Sequence, residues 1–403
     1  MRIRNFVGMK TDAARKTGLA LVGLLALTLC ILACTSFSPD DKKVLYPSFS
    51  GTNGAVGVAV YDRESGRSDL LFAPVVFEEA ASQAAALLLR PQWMADGRRI
   101  LVTWFNQNKG ENLNLALIPW GARGPIKLFS LGKIVDGLGA LVMPLPVVGD
   151  RVFIVQTQQE INRLDLKTGA RTVHRLGDAK SQFSLYPAPA DKGVFYLEER
   201  KEPGAHYVFG RLDADTFVLA PSVTFTNEPD DGSFFTYDPL GRRVAFMEKG
   251  PSGRPELVVI ERDKPALTRP LDFKGAEVQF GNAVFTRSGD ALLASCQKKP
   301  SGQDRWSFGL IEIPLRAGPI RETTLIPALE TTEKQAASYF QVGMSHDGKT
   351  AAAASTYLAC VETGNFKPED CALFLVDLSD AKRKVTKVPI GLPAERSPLV
   401  EHR

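Results

Sequence analysis

The chain has 403 residues, 44% of them hydrophobic and 23% charged, which suffices for a buried core in one large or two ordinary domains and excludes wholesale disorder. Its formal net charge of +4 is carried by residues 1–33, so the rest of the chain is neutral. Because a protein that neutralises several phosphates needs a net basic surface, this distribution argues against nucleic acid as a partner.

The first segment, residues 1–33, is typical of export. A basic stretch precedes the apolar run 18–33, whose length fits a signal-peptide core and is short for a membrane-spanning helix. The run ends in Ile31-Leu32-Ala33-Cys34, which resembles the lipobox of bacterial lipoproteins, although Leu32 is a less usual residue there. The resemblance implies that residues 1–33 are removed and that Cys34 is lipidated. A cysteine that carries several acyl chains would anchor the protein stably to a membrane. An uncleaved anchor helix and an ordinary signal peptide are the alternatives.

Residues 34–43 would then be the lipidated cysteine and a short polar tether, TSFSPDDKK after Cys34. Thr35 differs from the Asp that retains lipoproteins in the inner membrane. We therefore expect a cell-envelope protein attached through Cys34 to the outer membrane, if the organism has one.

Two later cysteines are predicted to pair. Cys360 and Cys371 flank a ten-residue polar insertion and lie on what the sequence predicts to be consecutive antiparallel strands. A disulfide there suits an oxidising compartment and would stabilise the fold by about 2 to 3 kcal/mol in the chain-entropy model. Cys296, in ALLASCQ, has no partner nearby in sequence, so we expect it to be a small buried residue.

A short turn between two apolar stretches recurs along residues 44–403. Its copies lie at 92–104, 144–156, 186–198, 235–248, 283–295 and 341–355, with landmark glycines 52, 44, 48, 48 and 59 residues apart. A further apolar strand follows each copy, and a short fourth strand completes several units. Four antiparallel strands in about 50 residues predict the blade of a single all-β propeller.

At these turns the chain resembles the WD-like repeats of TolB-type β-propellers, most closely at residues 93–100 and 344–349. The segment LDLKTGARTV, residues 164–173, is more similar to quinoprotein-type propellers such as BamB, without their regular tryptophans. Both resemblances imply a fold and no activity.

The blade number follows from closure. The chain from Val44 supplies a second, a third (55–62) and a fourth strand, and the tail 397–403 is a candidate for the missing innermost strand. Six full repeats and this composite predict seven blades. A six-bladed ring with an extra N-terminal strand is the runner-up, and a large β-sandwich or two all-β domains are further alternatives. Residues 77–90 have a composition that predicts one short helix.

The sequence contains no pattern typical of catalysis. The four histidines, residues 174, 206, 346 and 402, fall on different repeats, and Ser379 and Lys382 of a Ser-x-x-Lys match lie in a predicted hairpin turn. Nucleophile-elbow, Cys-x-x-Cys, His-Glu-x-x-His and P-loop motifs are missing. We therefore expect no catalytic residue, no cofactor and no metal.

Loop length distinguishes the two faces of the predicted propeller. The first-to-second and third-to-fourth strand turns share one face and are short, whereas the second-to-third strand loops and blade-to-blade crossings share the other and are long. We call these the turn face and the long-loop face. Long loops on a rigid scaffold often carry binding residues, and the basic candidates on this rim are Lys109, Arg200, Lys249, Arg254, Lys299 and Arg305.

The expected function is that of a lipid-anchored, non-catalytic scaffold that binds another envelope protein through the long-loop face. One alternative is an envelope enzyme or small-ligand binder whose site lies at the central funnel. Each blade would contribute one residue to such a site, so the spacing of residues along the sequence would not reveal it. Another is a glycan-binding protein that uses tryptophans, although tryptophans on or beside strands are expected to pack between blades.

Overall fold

A computed structural model describes residues 35–50, 55–72, 87–106, 112–121, 125–133, 145–157, 160–175, 181–188, 193–200, 206–226, 234–251, 253–329, 342–354, 372–380, 382–389 and 391–392. These residues form strands and turns without a helix. The strands build seven sheets arranged as a β-propeller, each with four antiparallel strands, and one of the sheets gains a short fifth strand that pairs in parallel. The predictions of an all-β fold and of seven blades are thus confirmed, and the six-bladed alternative is wrong.

Each blade is a run of four sequential strands. Blade 1 contains β1 Ser36–Phe37, β2 Lys43–Ser50, β3 Ala55–Asp62 and β4 Arg67–Phe72. Blade 2 contains β5 Leu87–Trp93, β6 Arg99–Asn106, β7 Asn112–Pro119 and β8 Lys127–Lys133. Blade 3 contains β9 Val147–Val148, β10 Arg151–Thr157, β11 Glu160–Asp165 and β12 Arg171–Arg175.

The remaining blades repeat this pattern. Blade 4 contains β13 Ser181–Pro187, β14 Val194–Arg200, β15 His206–Leu212 and β16 Leu219–Phe225. Blade 5 contains β17 Phe235–Tyr237, β18 Arg243–Lys249, β19 Pro255–Glu261 and β20 Leu267–Pro270. Blade 6 contains β21 Glu277–Phe285, β22 Ala291–Lys299, β23 Trp306–Pro314 and β24 Arg321–Leu329. Blade 7 contains β25 Val342–Met344, β26 Thr350–Ala354, β27 Ala372–Asp377 and β28 Val385–Pro389, and β29 Gly391–Leu392 returns to blade 1.

The recurring turn forms because its residues satisfy the backbone of a tight hairpin. In blade 2 the Asp96 carboxylate accepts hydrogen bonds from the backbone N–H groups of Arg98 and Arg99, at 2.8 and 3.1 Å. Gly97 follows with φ +64°, the left-handed conformation that glycine adopts without a steric penalty. The Asp-Gly pair is therefore the local reason why β5 and β6 fold back on each other.

The core lies between adjacent blades and is densest around their middle strands. In β22, Leu292 packs into a cluster shared with blade 5, while its neighbour Leu293 packs into a cluster shared with blade 7. Both side chains are fully buried, which stabilises the fold by roughly 1.5 to 3 kcal/mol each. The outer strand β12, in contrast, is mostly exposed. Packing between adjacent blades therefore stabilises the ring mainly through the middle strands.

Blade 1 is closed by two short segments on one edge of β2. The Ser36–Phe37 strand β1 pairs antiparallel with Leu45 and Val44, and β29 pairs parallel with Phe49 and Ser50. The innermost position therefore includes residues from the segment that the sequence predicts as a tether. The tail 397–403, the sequence-based candidate for this strand, lies outside the described residues.

The predicted helix at 77–90 is wrong at its end. Residues 87–90 belong to β5, where they pair with β6 across the blade. A leucine-rich segment can form either a helix or a strand, and residues 87–90 form a strand because they pair with β6. Within the described part of the chain, no helix is long and apolar enough to cross a membrane.

Candidate functional site: the long-loop face

The turn face is held together by contacts between blades. The Asp41 carboxylate in the first turn of blade 1 accepts hydrogen bonds from the backbone N–H groups of His346 and Asp347 in blade 7, at 2.7 and 2.9 Å. On its other side, Pro39 lies beside Gly97 of blade 2, where a Cβ added to Gly97 would be in van der Waals contact with the Pro39 Cγ at 3.6 Å. The first turn of blade 1 therefore joins its two neighbours.

Basic side chains continue this pattern around the turn face. Arg99 of blade 2 pairs with Asp150 of blade 3, and Lys167 lies 2.8 Å from the same carboxylate. These two cations, led by Lys167, hold the pKa of Asp150 below its ordinary value. Further links between blades run from Arg151 to Asp215, from Arg243 to the Gly289 carbonyl and from Arg287 to the His346 carbonyl. These charges are thus used within the fold.

Blade 5 presents two basic residues differently on the long-loop face. Lys249 ends β18, Arg254 immediately precedes β19, and both side chains are exposed. The intervening hairpin bonds to itself, because the Gly250 N–H donates to the Arg254 carbonyl at 2.9 Å and the Gly253 N–H donates to the Gly250 carbonyl at 2.8 Å. Within the described part of the chain, neither Lys249 nor Arg254 has an ion-pair partner. This hairpin therefore offers two cations to the outside.

Blade 6 places its basic candidates around a buried tryptophan. The Lys299 ammonium lies 6.0 Å from the centroid of Trp306, whose ring is 1% exposed. Arg305 is exposed at the end of the loop, which is tightened by the Gln303 N–H donating to the Pro300 carbonyl at 3.1 Å. Trp306 packs in the core between blades, so it is unsuited to stacking a sugar on the surface.

In blade 4, Arg200 is engaged by a buried carboxylate. Its guanidinium donates two hydrogen bonds to Glu198, at 2.8 and 2.9 Å, and the Ser181 hydroxyl donates a third at 2.8 Å. Glu198 is 4% exposed, so its charge is balanced by Arg200 inside the blade. Sequence reasoning missed Glu198, because its position in β14 becomes informative only once the register with β13 is known.

Three amides on the first two strands of blade 6 also escaped sequence analysis. Asn282 joins blades 6 and 7, since its Nδ2 donates to the Val342 carbonyl at 3.1 Å and its Oδ1 accepts from the Val342 N–H at 2.6 Å. Gln279 and Gln297 lie directly opposite each other on β21 and β22. Their buried Oε1 atoms accept no hydrogen bond within the described residues. These two oxygens are therefore acceptors available to a donor between strands near the long-loop face.

Several predicted residues lie outside the described residues. They are the lipidation site Cys34, the predicted disulfide partners Cys360 and Cys371, and the basic candidate Lys109. Lipidation and the disulfide therefore stay predictions. The long-loop face that can be described consists of Arg200 in blade 4, the 249–255 hairpin of blade 5 and the 299–306 loop of blade 6.

The described residues have little of the chemistry of a reactive site. Burial raises the pKa of the Cys296 thiol to about 12, so its thiolate is scarce at neutral pH. The carboxyls whose pKa departs from its ordinary value all shift downward, most of them through hydrogen bonds in turns, as at Asp165 and Asp377. No group of three His, Cys, Asp or Glu residues suited to a metal ion occurs in the described part of the chain.

Comparison with known proteins shows similarity of fold. No protein-family model matches the chain, and no curated protein matches its sequence. Among solved structures, TolB from Acinetobacter baumannii is similar over 91% of this chain and 90% of its own, with 16% identity and a TM-score of 0.40. The β-propeller domain of Cps50 (Swd1) from Myceliophteria thermophila is similar over 64% of this chain and 78% of its own, with 13% identity and a TM-score of 0.41.

An enzyme is also among the similar structures. Prolyl oligopeptidase B from Galerina marginata is similar over 96% of this chain, with 10% identity and a TM-score of 0.51, and this chain spans 56% of its length. At such identities the likeness shows the propeller fold alone, because one fold carries many unrelated functions. Function has to be argued from the surface of this chain.

Proposed function

We propose that the protein is a lipid-anchored, non-catalytic β-propeller of the cell envelope that binds another envelope protein through its long-loop face. One observation carries the proposal. Several basic residues of the turn face, among them Arg99 and Arg243, are bonded between blades, whereas Lys249 and Arg254 stand exposed on a hairpin without an ion-pair partner in the described residues. Charges that do not serve the fold are available to steer and orient a partner.

The surroundings of this hairpin favour a protein as the partner. Glu248 precedes Lys249 and Glu256 follows Arg254 at the base of the hairpin, so the surface carries both signs of charge. A patch that recognises nucleic acid or anionic lipid needs a cluster of one sign. A mixed pattern instead fits the complementary charges of a protein surface, where it sets specificity more than affinity.

The test is a pull-down of the lipidated protein from membranes. Charge reversal at Lys249→Glu and Arg254→Glu is expected to remove a stoichiometric envelope partner that the unaltered protein retains. The matched control is Arg316→Glu, which reverses an exposed charge on the turn face of blade 6. Loss of the partner from both variants, or recovery of the unaltered protein alone, would contradict the proposal.

A second candidate function is a small-ligand site beside the inner strands of blade 6. The buried, unpartnered oxygens of Gln279 and Gln297 favour it, because native proteins rarely leave such acceptors unused. A ligand for this site would carry hydrogen-bond donors. Ligand-dependent stabilisation that is lost in Gln297→Leu and retained in Lys249→Glu would favour this function over the scaffold.

A further inference from the structure

Asp41 occupies a turn position that glycine fills in four other blades. In blades 2, 5, 6 and 7 the first turn is closed by a glycine N–H that donates to the carbonyl three residues earlier, at Gly97, Gly241, Gly289 and Gly348. In blade 1 the Asp41 N–H makes the same bond to the Ser38 carbonyl at 2.8 Å, with φ +58°. This left-handed conformation costs energy in a residue with a Cβ, although Asp tolerates it better than most residues. Such strain persists where the surrounding structure holds it in place, often at switch regions.

The Asp41 side chain bonds blade 1 to blade 7. Its Oδ1 accepts a hydrogen bond from the His346 N–H at 2.7 Å and lies 2.9 Å from the His346 Nδ1, and its Oδ2 accepts from the Asp347 N–H at 2.9 Å. The Arg63 guanidinium reinforces this link, because it donates to the Asp41 carbonyl at 2.6 Å and to the Thr350 hydroxyl of blade 7 at 2.8 Å. Hydrogen bonds to an ionised group are stronger than neutral ones, so these two residues hold the first turns of blades 1 and 7 together.

This link runs in the opposite direction to those at other junctions. In blades 2, 3 and 5 the residue two places after the turn glycine is an arginine that reaches the next blade, namely Arg99, Arg151 and Arg243. In blade 7 the residue two places after Gly348 is Thr350, a short side chain without a charge. Blade 1 supplies the link instead, through Asp41 and Arg63. The closing junction of the ring therefore depends on residues that follow the first strand of the described chain.

The packing beneath this link is thin on the side of blade 7. The second strand of that blade, β26, contributes only the alanines Ala352 and Ala354 to the cluster that blades 7 and 1 share. The corresponding strand of blade 6 contributes leucines, Leu292 and Leu293, to the clusters on its two sides. Hydrophobic stabilisation grows with the apolar area that is buried, so the alanines contribute less. A region with little buried apolar area opens at a lower free energy than the rest of a fold.

We infer that Asp41 is a clasp that holds the propeller ring closed, and that the ring opens at the junction between blades 7 and 1 when this clasp is released. The inference concerns a conformational change of the chain itself and depends neither on lipidation of Cys34 nor on a partner. Release would free the first turn of blade 1 from His346 and would expose the shared cluster that contains Phe37 and Ala352. The clasp thus controls access to an apolar surface that the closed ring buries.

Replacement by glycine tests the clasp, because its two effects have opposite signs. Asp41→Gly removes the carboxylate and also removes the energetic cost of the left-handed conformation. The matched control is Asp263→Gly in blade 5, since Asp263 has φ +59° and a side chain that is 91% exposed. We expect the urea midpoint to fall in Asp41→Gly and to rise or stay unchanged in Asp263→Gly. A midpoint of Asp41→Gly at or above that of the unaltered protein, or equal shifts in the two variants, would overturn the clasp.

Hydrogen exchange followed by mass spectrometry locates the opening. The junction is represented by β1 and β2 on one side and by β25 and β26 on the other, and blade 4, opposite this junction in the ring, provides β14 and β15 for comparison. We expect Asp41→Gly to raise amide exchange at the junction by roughly tenfold or more and to leave β14 and β15 unchanged. An equal increase in all these strands would indicate a global loss of stability and would overturn the opening at this junction.

A second variant controls for the loss of a carboxylate on the turn face. Asp150→Asn weakens the link between blades 2 and 3, where Asp150 pairs with Arg99 and Lys167. We expect this variant to leave exchange at β1, β2, β25 and β26 unchanged. Faster exchange of these strands in Asp150→Asn, to the extent seen in Asp41→Gly, would show that loss of any such link opens the junction and would overturn the special role of Asp41.

Discussion

Replacing Phe37 by alanine tests whether the segment after Cys34 is part of the fold. Phe37 is 5% exposed and packs in a cluster with Val44 and Ala352, which joins blades 1 and 7. Removing a buried phenylalanine side chain costs about 3 to 5 kcal/mol. The strand β1 has only two residues, so the site can partly collapse and the lower half of this range applies.

The Phe37 ring has a second contact that alanine would remove. Arg63 lies over it, with the guanidinium carbon 5.8 Å from the ring centroid, an interaction worth about 0.5 to 1 kcal/mol at an exposed site. We therefore expect Phe37→Ala to lower the free energy of unfolding by about 3.5 to 5 kcal/mol, a large share of the roughly 5 to 15 kcal/mol that a domain has.

Urea unfolding of the soluble Cys34→Ala form measures this change. The control is Leu128→Ala on the outer strand of blade 2, where the side chain is 49% exposed, and its effect should stay within about 0.5 kcal/mol. A loss at Phe37 no larger than that of the control would refute the packing argument. In that case residues 34–43 would behave as the free tether that their composition predicts.

Three further predictions concern the turns and the free thiol. Gly348→Ala should lower stability by more than the roughly 1 to 2 kcal/mol that a left-handed residue costs, because its Cβ would lie 2.8 Å from that of Arg287. In the same urea assay Gly121→Ala should cost no more than that, because Gly121 has φ +69° and an added Cβ there would meet none of the described residues within 4 Å. Hydrogen bonds from the Ser345 hydroxyl and the Lys349 N–H hold the pKa of Asp347 below its ordinary value. The stability that they provide is therefore present above about pH 4 and is lost as the pH falls through the pKa of the folded protein. Between pH 6 and pH 2 the urea midpoint of Asp347→Asn should fall less steeply than that of the unaltered protein, and an unchanged slope would contradict this. Burial raises the pKa of Cys296 to about 12, so a comparison with Cys296→Ser should show one fewer alkylated thiol after unfolding and no difference in the native state, whereas rapid native labelling would contradict it.

The repeat was predictable from sequence because its signal is local. A turn such as Asp96-Gly97 between two apolar runs can be predicted from these few residues alone, because their own conformation and hydrogen bonds form the hairpin. The interval between such turns then gives the size of a blade. The innermost strand of blade 1 was missed for the opposite reason. Ser36 and Phe37 form a strand only because β2 and blade 7 surround them, and a polar segment of nine residues carries no sign of that distant contact.

The candidate site was predictable only as a face. Loop lengths indicated where exposed residues would gather, and Lys249 and Arg254 are exposed as expected. Which cations are free depends on partners that the sequence does not place beside them. Arg200 was predicted on the same grounds as Lys249, yet Glu198 binds its guanidinium through two hydrogen bonds. The buried pair Gln279 and Gln297 likewise depends on a strand register that a bulge between Phe280 and Ala283 shifts.

The two ends of β18 show why position decides the role of a basic residue in this fold. Arg243 begins the strand at the turn face, where it donates to the Gly289 carbonyl of blade 6 at 2.7 Å and lies 5.2 Å from the centroid of Phe285. Lys249 ends the same strand at the long-loop face, where the neighbouring hairpin bonds to itself. Short turns bring adjacent blades within reach of one side chain, so cations there stabilise the ring. Longer loops carry a cation beyond that reach, and its charge becomes available to a partner from outside the chain.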